Sequence, residues 1–146
     1  MRTPANIAGH PLHPMLVTIP IGLWVFSLAS DLIAMGSPAR DIWPFVAYYT
    51  MIGGAIGALA AALPGLIDLL SLKDQALKKT ALTHMTINLA VVALYLVNIW
   101  MRHRDPQNLS GPFWLSLVAI LMLLVSGWLG GKMVYLEGVG VSTVSK

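Results

Sequence analysis

Three of the four histidines in the chain are candidates for metal chemistry. His10 and His13 lie in the opening stretch GHPLHP, and His84 lies far along the chain in an apolar segment. Imidazole is the commonest metal ligand, and two facing imidazoles can hold haem iron axially. The chain contains no cysteine, which excludes disulfides, thiolate zinc sites, cysteine-held iron–sulfur clusters and haem attached through a C-x-x-C-H motif.

The elements that must position these histidines are strongly apolar. Hydrophobic residues make up 57% of the 146 residues and charged residues only 10%, which excludes disorder and argues against a soluble globule. Four apolar stretches each reach the roughly 20 residues that a helix needs to cross the hydrocarbon core. They are residues 15–35, 43–70, 81–101 and 112–136. Because the connecting loops are short, the sequence predicts an all-α integral membrane protein, a four-helix up-down-up-down bundle with residues 1–146 in a single transmembrane domain.

An even number of spans places both termini on one side of the membrane. Six lysines and arginines fall on that side and three on the other, so the positive-inside rule predicts cytoplasmic termini. The six are Arg2, Lys73, Lys78, Lys79, Lys132 and Lys146, and the three are Arg40, Arg102 and Arg104. The net charge of +3 is typical of such loops, and no nucleic-acid partner is expected.

The antiparallel path brings distant residues to the end of the bundle that carries the termini, called here the terminal end. The first span begins beside His13, the second ends near Asp68, and the third begins shortly before His84. We therefore expect His13 and His84 to be the axial ligands of a b-type haem, with His10 as a neighbouring group. The cations expected to contact the haem propionates are Lys78, Lys79 and Lys132. Alternative axial ligands at similar depth are Met15, Met85 and Met133.

Other functions compete with this interpretation. In one, the same two histidines bind a non-haem transition metal such as copper, iron or zinc, with His10 or Asp68 as further ligands. In another, the histidines only cap helices and meet lipid headgroups, and the protein is a structural or accessory subunit of a larger membrane complex. A proton-coupled exporter ranks lowest, because Asp31 and Asp68 both lie near span ends. No catalytic motif is recognisable, so electron transfer or an accessory role is favoured over a stand-alone enzyme.

Polar residues on the third span repeat at helical spacing and predict that one face of this span points into the bundle. They are His84, Asn88, Tyr95, Asn98 and Arg102. Hydrogen bonds between helices are the simplest use of such a face. At the other end of the bundle, Asp31 is expected to form an interfacial ion pair with an arginine. The candidates are Arg40, Arg102 and Arg104.

Small residues at four-residue spacing predict close helix packing, either inside the bundle or between two copies in a homodimer. The second span carries Gly53 and Gly57, and the fourth carries Gly127 and Gly131. Pro20 and Pro64 predict kinks, since each removes a backbone donor from a helix.

Several motifs together resemble a bacterial four-helix membrane family of unknown function. They are GHPLHP followed by PIGL, then LPGLID, SGWLGG and finally GVGV. The resemblance covers nearly the whole chain and implies a four-span fold in the bacterial inner membrane. Related domains occur fused to Rieske-type or cytochrome-like modules, which implies electron transfer with a redox partner or a larger membrane complex.

By this resemblance, His10, His13, Asp68 and His84 fall at motif positions. Relatives often carry a histidine immediately before GVGV, where this chain has Glu137. If that position is a ligand in the family, this chain has lost it or changed its metal.

Overall fold

A computed structural model describes residues 3–36 and 42–141 of the chain. It is 79% helical, which confirms the all-α membrane bundle. The helices are α1 (Leu12–Leu16), α2 (Thr18–Gly36), α3 (Trp43–Ser71), α4 (Gln75–Arg102) and α5 (Pro112–Gly131), and a π-helical turn follows at Lys132–Leu136. The four segments long and apolar enough to cross a membrane are Leu12–Gly36, Trp43–Ser71, Gln75–Arg102 and Pro112–Leu136. Three of the cations counted for the positive-inside rule lie outside the described residues: Arg2, Arg40 and Lys146.

The helices form a four-sided arrangement. Helix α2 packs mainly on α3, and α4 packs mainly on α5. Smaller contacts between α3 and α4 and between α2 and α5 join these two pairs into one bundle. The outward faces carry large apolar side chains with high exposure, such as Leu63, Leu124 and Trp128. In a bilayer these apolar faces contact lipid. The buried core is therefore small and consists of the residues that lie between the helices.

The interface between α2 and α3 depends on glycine. A Cβ added to Gly54 would collide with the indole of Trp24, and one added to Gly57 would lie 3.0 Å from Ile19. Trp24 in turn stacks on Tyr95 of α4 at 4.3 Å between ring centroids. The small residues of the second span therefore serve packing inside the bundle. Around Gly127 there is open space, and homodimerisation stays a prediction.

The inward face predicted for the third span is present. Tyr95, Asn98 and Arg102 are fully buried, while His84 and Asn88 are half-buried. Arg102 pairs with Asp31 through two bonds of 2.7 and 2.6 Å, and both side chains have no exposure. The ion pair predicted for Asp31 therefore forms with Arg102, the last residue of α4, and both side chains are buried between the helices.

Two helix beginnings differ from the predicted spans. Helix α4 begins at Gln75 rather than 81, because the carboxylate of Asp74 accepts from the Leu77 N–H at 2.7 Å and caps it. The first span begins at Leu12, so His13 is helical although it precedes a proline. This span is interrupted at Val17, since Pro20 has no N–H to offer the preceding turn.

A small hairpin precedes the first helix. Strands Asn6–Ile7 and His10–Pro11 pair through a two-residue turn in which Ala8 and Gly9 have φ of 50° and 85°. Positive φ at both turn positions is typical of tight hairpins. The Ala5 N–H just before the hairpin donates to the carboxylate of Asp68 at 2.9 Å, which ties this segment to the end of α3.

Candidate functional site: a histidine pair inside the bundle

The imidazoles of His13 and His84 lie next to each other although 71 positions separate them in the chain. Their ring centroids are 6.3 Å apart and their planes are perpendicular. His13 belongs to α1, which packs on α3, and His84 belongs to α4, which packs on α5. Both side chains are half-buried. The antiparallel path therefore brings these two predicted site residues together.

His13 is held by the backbone of α3. Its Nδ1 lies 2.8 Å from the Ala61 carbonyl oxygen, which can only accept, so Nδ1 carries the proton and donates. One turn further along α3, a Cβ added to Gly65 would lie 2.7 Å from Nδ1. Gly65 is therefore the residue that lets the ring approach the helix. The second ring nitrogen, Nε2, is left with its lone pair.

His84 is held in the same way by α5. Its Nδ1 lies 2.9 Å from the carbonyl oxygen of Ser126 and 2.9 Å from the hydroxyl of the same residue. The carbonyl again requires a proton on Nδ1. A Cβ added to Gly130 would lie 3.1 Å from the ring. The amide nitrogen of Asn88 donates to Nε2 at 3.0 Å, so both ring nitrogens of His84 are bonded.

The two rings share one chemical feature. Each donates Nδ1–H to a backbone carbonyl, and this second interaction fixes the tautomer that has a basic Nε2. Metal-ligating histidines almost always have such a partner on the other ring nitrogen. The two rings therefore have the protonation form in which histidine binds a metal, and they come from different helices.

The structure does not bring the other proposed ligands into this pair. His10 is exposed in the hairpin, and its Nδ1 lies 3.1 Å from the carbonyl oxygen of Ala8. The carboxylate of Asp68 accepts from the Ala5 N–H. Within residues 3–36 and 42–141, no group of three or more His, Asp or Glu side chains could hold a metal ion.

The lysines proposed for the propionates lie at the terminal end. The Nζ of Lys132 lies 3.6 Å from a carboxylate oxygen of Glu137, the residue immediately before GVGV. Lys78 is half-buried and Lys79 is exposed, both in the first turns of α4, at least a full turn before His84. Their contact with a cofactor stays a prediction.

The methionines offered as alternative ligands have different surroundings. Met133 packs in an apolar cluster with Leu69, Leu72 and Ala81, and Met85 packs against that cluster. Met15 is 54% exposed. Apolar packing at the terminal end accounts for the first two methionines.

The region that contains both histidines has recognised relatives. Residues 9–143 match the family described as Predicted membrane protein (DUF2231). The chain belongs to the DUF2231 family. This membership confirms the resemblance to a membrane domain of unknown function and supports a multi-pass location in a lipid bilayer. No curated protein and no solved structure matches the chain.

Sequence reasoning missed the groups that hold the rings. Gly65 lies in the LPGLID stretch and Ser126 and Gly130 lie in SGWLGG, where they stand out only as small residues. A backbone carbonyl such as that of Ala61 cannot be recognised from the sequence. The one available signal was the four-residue spacing of His84 and Asn88, which places both on one helical face.

Proposed function

We propose that this protein is a membrane-embedded electron-transfer protein in which His13 and His84 are the axial ligands of a b-type haem. The observation that supports the proposal is the neighbouring imidazole pair, 6.3 Å between centroids with perpendicular planes, in which Nδ1 of each ring is anchored to a carbonyl of a neighbouring helix. A metal between two imidazoles forms bonds of about 2.0 Å on each side. Adding half a ring on each side gives a centroid separation of about 6 Å, which matches the distance between the two imidazoles.

The number of protein donors favours haem over a bare metal ion. Among the described residues the pair has no third His, Asp or Glu with which to form a metal-binding group. Structural zinc sites need four ligands, and most transition metals need four to six. A porphyrin supplies four nitrogens of its own, so two axial imidazoles complete the coordination of its iron.

The chain's residues provide binding, orientation and a low dielectric. The Ala61 and Ser126 carbonyls keep the ring protons on Nδ1, which leaves both Nε2 atoms as the unprotonated nitrogens. Both rings are half-buried between helices, and the lysines of the terminal end are available to negatively charged propionates. When bound, the haem supplies one-electron oxidation and reduction. The electron partner is a redox protein or a larger complex in the bacterial inner membrane, with the termini on the cytoplasmic side.

Absorption spectroscopy tests the proposal. Protein expressed with ample haem and purified in detergent is expected to show a Soret band that sharpens and shifts when dithionite is added. His13→Ala and His84→Ala should each lose the six-coordinate spectrum. His103→Ala is the matched control, because His103 is exposed at the other end of the bundle, where Tyr48 is its partner at 3.3 Å.

A wild-type protein without a Soret band would overturn the haem proposal. A normal spectrum in His84→Ala would overturn the ligand assignment while leaving haem binding in place. Metal analysis of the same wild-type sample tests the competing function, in which His13 and His84 bind a non-haem transition metal.

A further inference from the structure

We infer that Asn88 is a positioning residue that occupies the ligand nitrogen of His84 until a cofactor displaces it. The hydrogen bond itself is independent of the proposed function, whereas the identity of the displacing cofactor rests on it. Asn88 lies one turn after His84 on α4, and its Nδ2 is 3.0 Å from Nε2. Because Nε2 has no proton, the amide must donate and the imidazole must accept.

The two imidazoles differ in this respect. His13 Nε2 has no hydrogen-bond partner in the part of the chain that the structure describes, whereas His84 Nε2 is bonded. A metal that enters between the rings therefore meets one open lone pair and one that is occupied. If a metal bound between the rings, His13 would offer an open Nε2, whereas His84 would coordinate only after the Asn88 amide had rotated away.

The Asn88 amide has two consequences for His84. Without a cofactor it donates to Nε2, so it keeps this nitrogen unprotonated and the ring in the Nδ1–H tautomer. During loading it competes with the metal for one lone pair. The competition should weaken cofactor binding by about fivefold, the equivalent of one net hydrogen bond.

Nitrogen-15 NMR of histidine-labelled apoprotein tests the positioning role without any cofactor. In Asn88→Ala the unprotonated Nε2 of His84 loses its donor, and its resonance is expected to move downfield. In Asn88→Asp the carboxylate can only accept, so Nε2 should gain a proton while the Ser126 carbonyl retains Nδ1–H. Thr86→Ala is the control, since Thr86 is exposed on the same helix and its hydroxyl donates to the Leu82 carbonyl.

Titration with ferric protoporphyrin IX tests the displacement. Asn88→Ala is expected to bind about fivefold more tightly than wild type, and Asn88→Asp more weakly than Asn88→Ala, because its Nε2 must first lose a proton. Circular dichroism checks that each variant is folded. An unchanged His84 spectrum in both Asn88 variants would overturn the positioning role. Equal or weaker haem binding by Asn88→Ala would overturn the displacement.

Failure of the proposed function gives a different result. If wild type binds no haem, displacement by haem is wrong along with the proposed function. The shifted His84 resonance in Asn88→Ala would then still establish that Asn88 holds the ring.

Discussion

Replacing Arg102 by methionine tests how far the bundle depends on the buried ion pair between α2 and α4. The Arg102 guanidinium donates to both carboxylate oxygens of Asp31, and its Nε donates to the Asn98 side-chain oxygen at 2.9 Å. Asn98 in turn donates to the Ser116 hydroxyl and the Pro112 carbonyl of α5. The Arg102 guanidinium therefore links α4 directly to α2, and through Asn98 the same network reaches α5. All the residues of this network are buried.

The expected loss follows from what the substitution leaves behind. Arg102→Met removes a charge that is fully buried and leaves the Asp31 carboxylate without its partner. Breaking a buried pair on one side costs about 3–5 kcal/mol, a large fraction of the total stability of a typical domain. Removing both charges, as in Asp31→Leu with Arg102→Met, eliminates the unpaired ion. The double variant should therefore recover most of the loss.

Unfolding in mixed micelles with increasing sodium dodecyl sulfate measures the effect. Far-UV circular dichroism reports the loss of the helices as the detergent fraction rises. Arg104→Met is the matched control, because Arg104 is exposed two residues further on and should change the free energy of unfolding by less than about 1 kcal/mol. Equal stability of the Arg102 and Arg104 variants would refute the reasoning.

Two further substitutions probe the terminal end. Gly65→Ala places a Cβ 2.7 Å from Nδ1 of His13, so we expect the ring to be displaced. Haem binding, measured by spectral titration, should fall at least tenfold, about 1.4 kcal/mol. Gly127→Ala is the control, because its Cβ meets open space and haem binding should be normal. Asp68→Ala removes the acceptor of the Ala5 N–H, so hydrogen exchange at this amide should accelerate, and Asp68→Asn should retain protection because an amide oxygen also accepts. Unchanged exchange in Asp68→Ala would contradict the tie between this segment and α3.

The four membrane helices could be predicted from the sequence because crossing a bilayer is a local requirement. A segment of about 20 apolar residues must satisfy its backbone internally whatever its neighbours are, and a helix does so alone. The inward face of the third span was predictable for the same reason, since polar side chains avoid lipid. The exact helix ends were not, because capping by Asp74 and the hairpin before Leu12 depend on conformation rather than on hydropathy.

Short loops also predicted which ends of the helices meet, and hence that His13 and His84 share one end of the bundle. Which histidines touch was decided by the tertiary structure. His13 reaches His84 because the glycine at 65 admits its ring, whereas His10 stays in the hairpin at the surface. The choice of Arg102 as the partner of Asp31 has the same origin. Contacts of this kind depend on helix rotation and on distances of a few ångströms, which residue spacing along the chain does not determine.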